Sequence, residues 1–74
     1  MQAVIYSKDA CPYCDKAKAL LISKNIDYVE YNIPRNITRE EFLETFPNTK
    51  TVPQIYLDDL YIGGYDSLVK HFGE

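Results

Sequence analysis

Cys11-Pro12-Tyr13-Cys14 sets two thiols one helical turn apart, at the point where an apolar run, Ala3-Val4-Ile5-Tyr6, hands over to a helical pattern. Residues i and i+3 of a helical turn have Cβ atoms about 5–6 Å apart, and a small adjustment brings that within the roughly 3.5–4.5 Å a disulfide requires. Such a pair opens and closes cheaply. Pro12 suits the first helical position, where its fixed φ and missing N–H do no harm. Cys11 then precedes the helix and faces its unpaired amides and the positive end of its dipole. A thiol of pKa about 8.5 is only about 3 % ionised at neutral pH, whereas helix starts and Cys-x-x-Cys settings lower the value to ~3.5–7.5. Cys11 is the expected nucleophile. Cys14, inside the first turn on a stripe with Ala17 and Leu21, is the expected buried, resolving partner. Lys8, just upstream, either adds a cation beside the thiolate or is an ordinary solvated loop lysine.

Working outward, a chain of 74 residues hides only about 60 % of its unfolded surface, so a single compact domain over residues 1–74 is expected. Apolar content of 46 % with charges of both signs excludes a disordered or low-complexity chain. A net charge of -3 without a basic cluster argues against a nucleic-acid partner, since phosphate binding needs grouped Lys and Arg. The strand pattern begins almost at Met1, with no leader-like run and no apolar stretch of membrane-spanning length. A soluble protein in a reducing compartment, the cytoplasm, and no membrane association are expected.

The two cysteines could also be a structural staple, but a disulfide closing so short a loop removes little chain entropy, which favours redox chemistry. Tetrahedral zinc wants four ligands, and the sequence offers Cys11, Cys14 and a distant His71, so no metal site is expected. His71 reads as a surface or capping residue.

Along the chain, the first strand covers about Ala3 to Tyr6, a loop Ser7 to Ala10, and a helix Pro12 to about Lys24. Ala17, Ala19, Leu20, Leu21 and Ile22 are its apolar side and Asn25 suits its C-terminal cap. Asp27 to Asn32 alternates polar and apolar residues as a second strand, parallel to the first through a right-handed crossover. Ile33-Pro34-Arg35-Asn36 breaks the pattern. Thr38-Arg39-Glu40-Glu41 is a capping box that starts a helix carrying Phe42, Leu43 and Phe46, and Pro47-Asn48 ends it. Gln54-Ile55-Tyr56-Leu57 and Leu60-Tyr61-Ile62, joined by Asp58-Asp59, read as an antiparallel hairpin. Gly63-Gly64 opens a last helix, about Tyr65 to Phe72. The order β-α-β-α-β-β-α predicts an α/β fold, a four-stranded mixed sheet flanked by three helices. In such sheets ligands sit beyond the carboxyl ends of the parallel strands, where Cys11 falls.

Cys11-Pro12-Tyr13-Cys14, followed by Thr51-Val52-Pro53 and then Gly63-Gly64-Tyr65-Asp66, resembles a dithiol glutaredoxin of the thioredoxin fold over nearly the whole sequence. The resemblance implies a cis Pro53, with Val52 turning its backbone N–H and C=O toward a ligand and pairing, strand-fashion, with the cysteine of a glutathionyl group. It implies that the helix start at Gly64, Tyr65 and Asp66 takes the γ-glutamyl end, backbone amides receiving its carboxylate and Asp66 its ammonium. Asp66 also reads as a plain N-cap residue. Lys8 and Lys50, the latter adjacent to Thr51, match basic positions that would take the glycine carboxylate, and Tyr13 would flank the ligand. The C-terminal helix stops earlier than in many relatives. The tyrosines Tyr6, Tyr28, Tyr31, Tyr56, Tyr61 and Tyr65 read as straddling core and surface.

The implied activity is glutathione-dependent thiol-disulfide exchange on protein disulfides and protein-glutathione mixed disulfides, with glutathione as co-substrate, no bound cofactor, a monomeric state, and ribonucleotide reductase among the candidate substrates. Two alternatives stand beside it. One is a redoxin recharged by a thioredoxin-reductase-type flavoenzyme. The other is a glutathione-assisted [2Fe-2S] module, against which Pro12 argues because cluster binders of the family tend to carry a smaller residue there.

Overall fold

The first strand runs two residues further than its apolar core suggests. In the computed structural model, which describes residues 1–73 and leaves Glu74, the last residue of the expected domain, outside the described residues, β1 spans Gln2–Lys8. The expected loop at Ser7 and Lys8 is therefore strand, because parallel pairing with β2 (Asp27–Ile33) continues to Lys8↔Ile33. Ser7 is fully buried and its hydroxyl donates to the Glu30 carboxylate. The two remaining strands, β3 (Gln54–Leu57) and β4 (Leu60–Gly63), form the expected hairpin. Asp58 and Asp59 both take positive φ, 48° and 68°, the conformation a two-residue hairpin turn needs and Asp tolerates. The sheet order is β2-β1-β3-β4, with β1 parallel to β2 and antiparallel to β3.

Strand alternation sends two different residue sets to the two faces. Ala3, Ile5, Ile55 and Leu57 face α1 (Pro12–Ser23) and α3 (Tyr65–His71), and with Ala17, Leu21, Ile26 and Leu68 they form the aliphatic core. The helix stripe is narrower than the sequence pattern suggests. Cys14, Ala17 and Leu21 are buried, whereas Ala19 is exposed and Ile22 is 62 % exposed. A helix this size turns only a strip of residues three and four apart toward a sheet. Its end is built by Asn25 at φ 58°, past the Lys24 cap, with the Ile26 N–H returning to the Leu21 carbonyl at 3.0 Å, so the expected Asn25 contribution is present in left-handed form.

The opposite face is aromatic. Tyr6 lies 5.1 Å from Phe46, 5.3 Å from Tyr31 and 6.0 Å from Phe42, centroid to centroid, and Tyr56 and Tyr61 extend the layer. This layer rests under α2 (Arg39–Thr45), whose Thr38–Glu41 capping box forms as expected. Four of the tyrosines thus share one face, while Tyr28 packs against the aliphatic core and Tyr65 stacks near Tyr13.

Between β1, β2 and α1 sits a half-buried charge set. Glu30 accepts from Ser7 Oγ and pairs with Lys18 Nζ at 3.0 Å. The Ser7 hydrogen bond, and after it Lys18, hold the Glu30 carboxyl below its ordinary value against burial, which pushes it up. The hydrogen bond to Glu30 in turn raises the Lys18 ammonium. A depressed carboxyl stabilises the fold above its unfolded pKa and loses that contribution as pH falls through the folded value. The raised Lys18 loses its contribution only as pH climbs past its own folded value. In denaturant melts across pH, stability should decline below the ordinary Glu value of 4.5, and Glu30→Gln should flatten that acid limb while lowering stability at neutral pH.

Candidate active site

The backbone around Cys11 is extended, then helical. Cys11 sits at φ −120°, ψ 96° as the N-cap of α1, with Pro12 in the first helical position. The Cys11 sulfur does the capping: the Cys14 N–H donates to Cys11 Sγ at 3.2 Å. Cys11 and Cys14 are joined as a disulfide with Cα atoms 5.2 Å apart, inside the ordinary range for such bridges. Cys11 keeps 7 % of its surface exposed and Cys14 1 %. The preceding loop is pinned from β2 and beyond. Arg35 pairs with Asp9 at 2.9 Å and Asn32 Nδ2 reaches Asp9 at 3.4 Å.

Thr51-Val52-Pro53 arrives from the other side. The Val52–Pro53 peptide is cis, as expected, and a second cis bond joins Ile33 to Pro34. The Val52 carbonyl oxygen lies 3.8 Å from Cys11 Sγ. What holds this segment is Gln54, a buried polar residue that the sequence pattern offers only as a strand position. Its Nε2 donates to the Thr51 carbonyl at 3.0 Å, while its Oε1 accepts from the Tyr61 hydroxyl. The signal available in the sequence was a lone amide beside a proline at the head of a β run.

Two clefts meet at Val52. The first, about 190 Å³, is lined by Tyr13, Thr51, Val52 and Pro53 together with Gly64, Tyr65, Asp66 and Ser67. Tyr13 and Tyr65 flank it with ring centroids 5.9 Å apart, and Lys16 lies over the Tyr13 ring. Gly63 before it has φ 117°, and a Cβ there would meet Ser67 Oγ at 3.0 Å, so this bend requires glycine. The N-cap of α3 is Gly64, with no side-chain cap bond, and Asp66 lies exposed in the first turn; the plain N-cap reading of Asp66 is thereby replaced.

Lys8 and Lys50 do not line this first cleft. They lie in the second, about 300 Å³, with Arg39, Ile33, Phe42, Leu43 and Val52. Arg39 was absent from the expected set because its local sequence is fully explained as the start of a capped helix. His71 is exposed and set edge-on to Phe72. Among the described residues no group of three or more His, Cys, Asp or Glu is placed to hold a metal ion, and no helix is long and apolar enough to cross a membrane.

Removing the Gln54 amide leaves the Thr51 carbonyl and the Tyr61 hydroxyl without their partner. Gln54→Ala should lower unfolding free energy by about 1–3 kcal/mol, and Tyr61→Phe, which strands only one acceptor, by less. Paired denaturant melts check the order.

Comparison with known proteins agrees with this geometry. The glutaredoxin family model matches residues 3–62. Glutaredoxin 1 of Rickettsia felis is 47 % identical over 68 residues, covering 88 % of this protein and 66 % of the relative. Glutaredoxin 3 of Escherichia coli K12 is 45 % identical over 64 residues, covering 86 % and 77 %. The crystal structure of glutaredoxin 1 from Francisella tularensis, complexed with cacodylate, has the same fold at a TM-score of 0.83 and 32 % identity, covering 96 % of this protein and 91 % of that one. The match spans just under two thirds of the length of the Rickettsia felis relative. With the Cys11–Cys14 pair at the head of α1, the cis Pro53 opposite it and the mixed sheet order, this chain belongs to the glutaredoxin family.

Proposed function

We propose that this protein is a glutathione-dependent thiol-disulfide oxidoreductase, acting in the cytoplasm as a monomeric unit over residues 1–74. The observation that carries the reading is the juxtaposition of Cys11 Sγ with the carbonyl of Val52 at 3.8 Å, Val52 itself lining the cleft that Gly64 also lines. A cysteine extended along Val52 has its sulfur delivered to Cys11 while its backbone finds strand-like partners. In the reduced enzyme the Cys14 N–H that reaches Cys11 Sγ favours the thiolate.

On this reading glutathione lies across both clefts. Its γ-glutamyl end sits at Gly64, Tyr65 and Asp66, with the Asp66 carboxylate taking the ammonium, and Tyr13 and Tyr65 cover the centre. Its glycine carboxylate reaches Lys8 and Lys50, with Arg39 beside them. Thr51 and Pro53 act by shaping the backbone on which Val52 is presented.

The exchange balances without an outside oxidant. Cys11 thiolate attacks one sulfur of a substrate disulfide, forming a Cys11-substrate disulfide and releasing the other sulfur as thiolate. Cys14 then displaces the bound half, so two electrons pass to the substrate and the Cys11–Cys14 disulfide forms. Glutathione attacks that disulfide, giving Cys11-glutathione and free Cys14, and a second glutathione releases Cys11 as glutathione disulfide. Glutathionylated proteins need only Cys11; protein disulfides need both. Ribonucleotide reductase is one candidate among the latter.

Cys14→Ser should spare removal of glutathione from proteins and abolish reduction of protein disulfides, assayed in parallel with glutathione as reductant; equal loss of both would break the assigned roles. Alkylation of reduced protein with iodoacetamide across pH should show Cys11 reacting with a midpoint well below the free-thiol value of about 8.5. A midpoint at that value would mean that the capping amide does not activate the sulfur.

A further inference from the structure

The second cleft is larger than a glycine carboxylate requires, and its walls are of two kinds. Lys8, Arg39 and Lys50 bring three cations and the lining includes no acidic residue, in a protein whose net charge is -3. Among the described residues, the ion pairs of Lys18 with Glu30 and Asp15 and of Arg35 with Asp9 take none of these three. The same cleft is lined by Ile33, Phe42 and Leu43, apolar residues supplied by β2 and α2. Glycine has no side chain with which to cover them.

We infer that this cleft is a specificity subsite for disulfide-bonded polypeptides in which an apolar residue directly follows the reactive cysteine and a carboxylate comes immediately after. The placement rests on the glutathione reading above, which sets the cysteine at Val52 and sends the residues that follow it toward Lys8 and Lys50. Val52 lines both clefts, so a peptide paired with it passes from one into the other. Successive side chains of an extended peptide point to opposite sides. The cysteine turns toward Cys11, which caps α1, and the next side chain turns toward α2, where Phe42 and Leu43 lie. An apolar group there covers the wall, and the carboxylate one step on meets the cations. The carboxylate can be the terminus of the peptide or an acidic side chain; the chemistry recognised is the same.

The test is the second-order rate at which the reduced wild-type protein is oxidised by symmetric disulfides of short peptides. Acetyl-Ala-Cys-Leu with a free terminal carboxylate should react about tenfold faster than acetyl-Ala-Cys-Gly, the equivalent of about 1.4 kcal/mol, a fraction of what full burial of a leucine side chain supplies. Amidating the leucine peptide should remove much of the gain, and adding Glu after the leucine in the amidated peptide should restore it. Leu43→Asp should collapse the Leu/Gly ratio, and Arg39→Glu should turn the preference toward a Leu-Lys peptide. Glutathione disulfide and cystamine are run alongside. A Leu/Gly ratio near one, with glutathione disulfide still reduced faster than cystamine, overturns the subsite and leaves the glutathione reading standing. A large ratio with no preference for glutathione disulfide over cystamine supports the subsite and overturns the glutathione reading instead.

Discussion

The hydrogen bond from the Cys14 N–H to Cys11 Sγ, 3.2 Å long, is the contact to which the rest of the architecture is subordinate. A helix must satisfy the amides of its first turn, and here a sulfur occupies the position that Ser, Thr, Asp or Asn usually fill. A neutral thiol is a poor acceptor and a thiolate a good one. On the proposed reading, the contact that gives α1 its N-cap is also the one that stabilises the charged form of Cys11 once the disulfide is reduced. Pro12 has no N–H to add, and the Cys14 amide reaches the sulfur.

That contact is useful only if β1, α1 and the segment before Pro53 keep fixed relative positions, and each face of the sheet contributes. The aliphatic face anchors α1 through Ala17 and Leu21 against Ala3, Ile5 and Ile55. The aromatic face holds β3 and β4 together through Tyr56 and Tyr61, and Tyr61 passes a hydrogen bond to Gln54, which grips the Thr51 carbonyl. Val52 is thus presented by a series of contacts that begins in an aromatic layer on the far side of the sheet from α1. The short α2 covers that layer with Phe42 and Phe46.

How legible this was in the sequence depended on the range of each interaction. Elements built from sequence neighbours were readable: the capping box at Thr38 and Glu41, the Asp58-Asp59 turn, the Pro12 start of α1 and the period of β2 each have a local signature that the fold keeps. The end of β1 is hidden in the sequence because Ser7 looks like a loop residue until Glu30, on the strand paired in parallel, accepts its hydrogen bond. Arg39 joins Lys8 and Lys50 in one cleft from three separate stretches, and no local pattern reveals that meeting. Gln54 is the same case. Its partners Tyr61 and Thr51 lie on either side of it, but only burial makes the amide matter. Ile22 shows the converse, an apolar residue on a helix whose buried strip was already filled.

The peptide group of Val52 faces opposing demands. Its carbonyl oxygen lies 3.8 Å from Cys11 Sγ, and the negative end of that dipole works against the charge which the Cys14 amide favours. On the proposed reading, the two influences act on one sulfur in the free reduced enzyme. A cysteine-containing peptide that pairs along Val52 supplies a donor to that carbonyl and draws its electron density away from the sulfur. On the proposed reading, occupation of the cleft therefore does more than position the incoming disulfide: it relieves a contact that disfavours the thiolate, at the moment the thiolate is to attack.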